Sequence, residues 1–161
     1  MSLKKLLGSC ANGIKVFDRP NSHSNVHSVS IALIKEALLK ISPNKNFVVE
    51  VINFNRIIGK TNCVSVDKTD TVVMAYRHGR KGPTPMVLNR EPEDCSSLTV
   101  ILKKDHNSGN YILITAFFGD SSEKEPWDPS IISGSEEHQK AKDFWATHAL
   151  VYDPSTIAQM A

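Results

Sequence analysis

Residues 97–118 read SLTVILKKDHNSGNYILITAFF, and this stretch carries the clearest fold signal in the chain. Ser97–Leu102 and Tyr111–Phe118 are rich in β-branched and aromatic residues, a composition that is typical of strands. The residues between them, KKDHNSGN, are polar and include Gly109, which favours a hairpin loop. The sequence therefore predicts a sheet that contains this antiparallel hairpin.

Three further strands are predicted upstream of the hairpin, at Phe47–Phe54, Arg56–Val66 and Thr71–Tyr76. The connections between them are too short for the crossover helices that parallel pairing requires. We therefore expect a mainly antiparallel arrangement. One sheet should include all of these strands, through Val49, Val73, Val100 and Leu113.

Two helices are predicted on either side of the strands. Apolar residues recur at three- and four-residue steps from residue 22 or 24 to Ile41, and the pattern of Glu136–Leu150 is also helical. We expect the first helix to pack on the sheet through Val29, Leu33 and Ala37. The predicted fold class is α+β: an N-terminal helix packed on a curved, mainly antiparallel sheet of four or five strands, with a C-terminal helix.

Length and composition indicate a single globular domain. The chain has 161 residues, 40% of them hydrophobic, with a formal net charge of +2. The predicted organisation is an N-terminal arm at 1–21, one domain at 22–152 and a C-terminal tail at 153–161.

Cysteine usage and hydropathy bear on the compartment. Cys10, Cys63 and Cys95 are odd in number and include no CxxC pair, which argues against a disulfide framework and a zinc ribbon. No apolar run is long enough to span a membrane or to act as a secretory segment. We therefore predict a cytoplasmic protein with free thiols, no membrane association, no cofactor and no bound metal.

The segment YRHGRKGPTPMVLNR, residues 76–90, contains no acidic residue. It holds five groups that are cationic or can become so: Arg77, His78, Arg80, Lys81 and Arg90. Such a segment is a plausible phosphate site, and we predict that its arginines and lysine form the main positive patch. The alternative is an ordinary solvated surface.

Additional candidates lie outside this segment. Lys60 and Thr61 precede the third strand and would approach the basic segment if the second and third strands pair. Strand alternation places Tyr111 and Thr115 on one face, where their hydroxyls could contact a phosphate or a 2′-hydroxyl. A lone central Thr is equally often structural. His27, on the first helix, could serve as an acid or base; its spacing from His23 also suits zinc, but a further ligand would be needed.

These residue types suit metal-independent RNA cleavage, which needs an acid, a base and cations near the phosphate. The catalytic candidates are His78, Arg77, Arg80, Thr115 and His27. The candidates for RNA or phosphate binding are Lys81, Arg90, Lys60, Thr61 and Tyr111. Two alternatives stay open. One is a non-catalytic RNA- or phosphate-binding module; the other is an interaction domain that uses Trp127, Phe144 and Trp145.

The element order and the motifs RHGRKG and YILITAFFG resemble the superfamily of small bacterial toxin ribonucleases that includes barnase and the colicin-type tRNA nucleases. The segments RHGRKGPTP, YILITAFFG, EPWD and FWATHAL also resemble a family of uncharacterised bacterial proteins. The resemblance implies an endoribonuclease that uses His78, Arg77, Arg80 and Thr115, with an immunity or antitoxin protein as a partner. The barnase-like enzymes use a Glu base, and only Glu50 lies on a predicted central strand here.

Overall fold

The structure is a computed structural model that describes residues 5–19, 29–120 and 124–161. In chain order the described elements are β1 (Leu6–Ser9), β2 (Lys15–Phe17), α1 (Ile31–Leu38), β3 (Phe47–Asn53), β4 (Gly59–Thr61), β5 (Cys63–Ser65), β6 (Val72–Arg77), β7 (Pro83–Val87), β8 (Glu93–Cys95), β9 (Ser97–Lys104), β10 (Tyr111–Phe118), α2 (Glu136–Thr147), β11 (His148–Val151) and β12 (Ile157–Met160). A 3-10 turn at Pro154–Thr156 precedes β12.

By its contacts the chain divides into two compact units, each built from two segments. The first unit comprises residues 1–59 and 95–121, and the second comprises residues 60–94 and 122–161. Each unit contains a five-stranded sheet, and β4 and β8 form a separate two-stranded sheet.

The sheet of the first unit has the strand order β1-β2-β10-β9-β3. All of its pairings are antiparallel except that between β2 and β10, which is parallel. Helix α1 begins after Ser30, whose hydroxyl accepts the Leu33 N–H at 3.2 Å. The helix buries Ile34, Ala37 and Leu38, while Leu33 is only partly buried against the same core.

The sheet of the second unit has the strand order β12-β6-β7-β11-β5. Strands β7 and β11 are parallel, and the other pairings are antiparallel. Ser135 caps α2 by accepting the His138 N–H. A small core of Val64, Val87 and Ala149 lies in this unit.

The predicted fold class is wrong. The described residues are mostly sheet, with twelve strands in three sheets and two helices, whereas the prediction was a single sheet of four or five strands with an N-terminal and a C-terminal helix. Val49, Val100 and Leu113 share a sheet, but Val73 belongs to the sheet of the second unit. The prediction failed because eight of the twelve strands, β1, β2, β4, β5, β7, β8, β11 and β12, are only three to five residues long. Such short strands carry little alternation that a sequence pattern could reveal.

Element ends also differ from the predictions. Helix α1 begins at Ile31, whereas the predicted start near residue 22 or 24 lies outside the described residues. Helix α2 ends at Thr147, and the predicted last turn is instead strand β11, which pairs with β5 and β7. Strands β1, β2 and β12 occupy residues assigned to the arm and the tail.

A bulge in β10 changes which side chains share a face. Leu113 pairs with Leu102 and Thr115 with Ile101, so one extra residue, Ile114, is inserted between them. The predicted placement of Thr115 on the face of Tyr111 is therefore wrong, since Thr115 shares the face of Ile101.

Neither described helix combines the length and the apolar character needed to cross a lipid bilayer.

Candidate nucleic-acid interface

The basic segment forms a β-hairpin in the second unit. Strand β6 ends at Arg77 and β7 begins at Pro83, leaving five connecting residues. We call residues 78–81 the basic turn. Gly79 has a φ of +74°, which glycine adopts without the strain that a side chain would bring. The Arg80 N–H donates to the Arg77 carbonyl and the His78 N–H to the Thr156 carbonyl, each at 3.2 Å.

Trp127 anchors the end of this hairpin connection. Gly82 is buried, and a Cβ at this position would overlap the indole ring. The indole Nε1–H donates to the Pro83 carbonyl at 2.7 Å. The glycine thus allows the ring to pack directly against the backbone beside Lys81.

Arg77 is engaged inside the second unit. Its guanidinium forms an ion pair with Glu125, whose side chain is 9% exposed, against 22% for Arg77. The Thr84 hydroxyl donates to the same carboxylate oxygen at 3.1 Å. The Arg77 Nε is buried and has no hydrogen-bond partner among the residues that the structure describes. Glu125 therefore offsets the charge of Arg77, which was predicted to face a phosphate.

Arg90 and Lys60 are also paired with carboxylates. Arg90 contacts Asp70 at 3.1 Å and Glu93 at 3.2 Å. These interactions, with the Asp70 hydrogen bonds first, raise the pKa of the Arg90 guanidinium above its ordinary value. Lys60 lies 3.1 Å from Asp94, and both side chains are exposed. Such an exposed ion pair contributes little stabilisation.

Arg80 and Lys81 differ from the other cations of the segment. Both are exposed, and neither forms an ion pair with a residue that the structure describes. Arg80 lies near enough to Asp128 to help lower the pKa of that carboxyl, although hydrogen bonds from Ser130 have the larger effect. His78 is exposed as well. The basic turn thus brings together two exposed cations and one exposed imidazole.

The remaining predicted residues lie elsewhere. Tyr111 is 1% exposed, and its hydroxyl donates to the Lys45 carbonyl. Thr115 and Tyr111 belong to the first unit, whereas the basic turn belongs to the second. The Thr61 hydroxyl oxygen accepts the Cys63 N–H at 3.4 Å.

His27 lies outside the described residues. Across residues 5–19, 29–120 and 124–161, no group of three or more His, Cys, Asp or Glu side chains is arranged to hold a metal ion.

Sequence reasoning missed the acids that pair with two of these cations, Arg77 and Arg90. Glu125 is 48 residues from Arg77, and Asp70 is 20 residues from Arg90. Neither pairing produces a local pattern. The signal that was available is the position of Arg80 and Lys81 between Gly79 and Gly82, which places them in a turn rather than on a strand.

Comparisons of the chain with protein-family models, with curated proteins and with solved structures found no match.

Proposed function

We propose that this chain binds RNA through the basic turn. The observation that carries the proposal is the contrast among the cations: Arg80 and Lys81 are exposed without an ion-pair partner among the described residues, whereas Arg77 is paired with Glu125. Cations that have no carboxylate partner can release the counterions of a polyanion when they bind its phosphates. The guanidinium fork of Arg80 also matches the geometry of phosphate oxygens.

The number of available cations limits how strongly binding depends on salt. Each phosphate neutralised on a single strand contributes about −0.7 to the slope of log affinity against log salt. Arg80 and Lys81 together give a slope of about −1.4, whereas four cations of the segment would give about −2.8.

The experiment compares two double variants in binding a short fluorescent RNA oligomer at low salt. Arg80→Ala with Lys81→Ala removes both cations of the basic turn. Lys140→Ala with Lys142→Ala removes two exposed lysines from α2 and serves as the matched control. We expect the first variant to lose most of the affinity and the control to keep it. Equal losses would mean that only the net charge matters, and the proposal would be wrong.

Metal-independent RNA cleavage is a second candidate, and the exposure of His78 beside Arg80 and Lys81 favours it. In this reaction the 2′-oxygen attacks the phosphate and the 5′-oxygen leaves. An imidazole can take the first proton or supply the second, while the cations stabilise the charge on the phosphate.

Cleavage of a labelled RNA pool in excess chelator tests this second candidate. A general acid or base contributes about 10²–10⁴-fold in rate, so His78→Ala should lower cleavage by that factor and leave binding nearly unchanged. Arg80→Ala should weaken both. If the purified protein cleaves none of the RNAs, the cleavage candidate is wrong and the RNA-binding proposal stands alone.

A further inference from the structure

The basic turn adjoins an apolar strip on one face of β6. Alternation along the strand places Val72, Met74 and Tyr76 on one face and Ala75 and Arg77 on the other. Ala75 is fully buried and Arg77 reaches the buried Glu125, so their face is covered at this end of the sheet. Val72 is 41% exposed and Met74 is 42% exposed. The strip of Val72, Met74 and Tyr76 lies on the opposite face, which is covered at Val87, the buried partner of Val72, and is partly exposed at Met74 and Tyr76.

Neighbouring strands extend this surface. Met74 pairs with Pro85 and Tyr76 with Pro83 across the β6–β7 hairpin, and directly paired residues share a face. Both prolines are partly exposed. On the other side Tyr76 pairs with Gln159 of β12, which is exposed and carries an amide donor and acceptor.

Tyr76 is the member of the strip closest to the basic turn. It is partly exposed, and its side chain forms no hydrogen bond or ring contact with any residue that the structure describes. Tyr111 differs, since its ring is buried and its hydroxyl is bonded. The Tyr76 side chain is therefore available to a ligand.

Tyr76 and the turn lie close enough to act on one ligand. Tyr76 precedes His78 by two residues, which is about 7 Å along a strand. A base lying on Tyr76 would thus bring the adjoining phosphates of its own strand to the end of the hairpin that carries Arg80 and Lys81.

We infer that the ligand of this surface is single-stranded RNA, with a base stacked on Tyr76 and the adjoining phosphates at Arg80 and Lys81. The inference rests on the proposed function and adds the class of RNA to it. An aromatic ring beside exposed cations is the arrangement by which proteins hold unpaired bases. The bases of a duplex are stacked on one another and cannot use the apolar strip. The cations at its end favour an anionic occupant over an uncharged one.

The test measures the affinity of wild type, Tyr76→Leu and Tyr76→Phe for single-stranded oligouridylate. Leucine fills space without an aromatic face, whereas phenylalanine keeps that face. Because stacking on an aromatic side chain contributes substantially to each bound base, we expect Tyr76→Leu to bind about tenfold more weakly and Tyr76→Phe to bind nearly as wild type. The salt slope should stay unchanged in both, since neither substitution removes a cation. Thermal midpoints equal to wild type would show that both variants are folded.

Three further ligands complete the test: an RNA duplex of the same length, an abasic oligomer and polyglutamate. We expect all three to bind wild type more weakly than oligouridylate does. Wild-type affinity in Tyr76→Leu, or a duplex that binds as tightly as the single strand, would overturn the inference. So would polyglutamate that binds equally well, which would indicate an acidic protein segment as the partner.

The two proposals fail in different ways. If Arg80→Ala with Lys81→Ala leaves the RNA affinity unchanged, the proposed function is wrong. If that variant loses affinity while Tyr76→Leu does not, the basic turn binds RNA and only the stacking inference is wrong.

Discussion

Single residues decide which cations of the basic segment can meet a ligand. The segment contains no acid of its own, so sequence alone treats its arginines as equivalent. Folding separates them, because Glu125 pairs with Arg77 and Asp70 pairs with Arg90. A buried ion pair adds little net stability, because the desolvation of both charges offsets their attraction, but removing one partner leaves an uncompensated charge and is costly.

Glu125→Ala should therefore destabilise the second unit by about 3 kcal/mol, the lower end for a broken buried pair, since Arg77 retains some solvent exposure. Asp94→Ala is the matched control, because it breaks the exposed pair with Lys60 and should cost about 0.2–1 kcal/mol. Urea unfolding followed by tryptophan fluorescence measures both, since Trp127 and Trp145 lie in this unit. Similar losses in the two variants would contradict the role given to Glu125.

Cys63 gives a prediction about pH. Burial, and secondarily the charge of Glu125, raises the pKa of the Cys63 thiol from 9.0 to about 11. Because the pKa is higher in the folded state, the Cys63 thiol contributes its full stabilisation below pH 9, and this contribution is lost as pH rises towards about 11. In Cys63→Ala the free energy of unfolding should fall less over this pH range than in wild type. Urea unfolding at a series of pH values from 8 to 11 compares the two proteins, and parallel curves would contradict the assignment.

At the scale of elements, the β6–β7 hairpin is positioned by the packing of Trp127 on Gly82. A methyl group at residue 82 would overlap the indole ring, so the ring or the backbone beside it would have to move.

Gly82→Ala should therefore lower the stability of the second unit and weaken RNA binding together, because the basic turn loses its anchor. Gly79→Ala is an instructive comparison. No atom of the described residues lies within 4 Å of a Cβ there, so only the positive φ of +74° opposes the substitution. The thermal midpoint and the RNA affinity of each variant provide the measurement. A Gly82→Ala protein with wild-type values in both would show that Trp127 does not hold the turn.

The elements that sequence predicted well are those with long apolar patterns. Tyr111–Phe118 was predicted with the observed ends, and β3 and β9 agree within two residues, because strands of seven or eight residues that are rich in apolar side chains leave little ambiguity. Strand β11 was predicted as helix, since its parallel pairing with β7 is a long-range contact that no local period records. The bulge at Ile114 likewise leaves no pattern in the sequence that would predict it.

At the scale of the whole molecule, the predicted catalytic residues do not lie on one sheet, because they belong to different units. Thr115 and Tyr111 belong to the first unit, and His78, Arg77 and Arg80 belong to the second. The predicted strand Thr71–Tyr76 directly precedes the basic turn, but strand β7 occupies Pro83–Val87 inside the basic segment, and the separation into two units depends on which strands pair. What remains within one unit is the basic turn with its adjoining strip, and the binding proposal is built on this surface.

The salt dependence of RNA affinity tests the central claim most directly. If Arg80 and Lys81 are the cations that meet phosphate, the slope of log affinity against log salt should be about −1.4 in wild type, and near zero in the variant that lacks both. Lys140→Ala with Lys142→Ala should retain the wild-type slope. A wild-type slope of about −2.8 would mean that Arg77 and Arg90 leave their carboxylates to bind phosphate. An affinity that does not change with salt would mean that the basic turn does not bind the phosphates, and the central claim would be wrong.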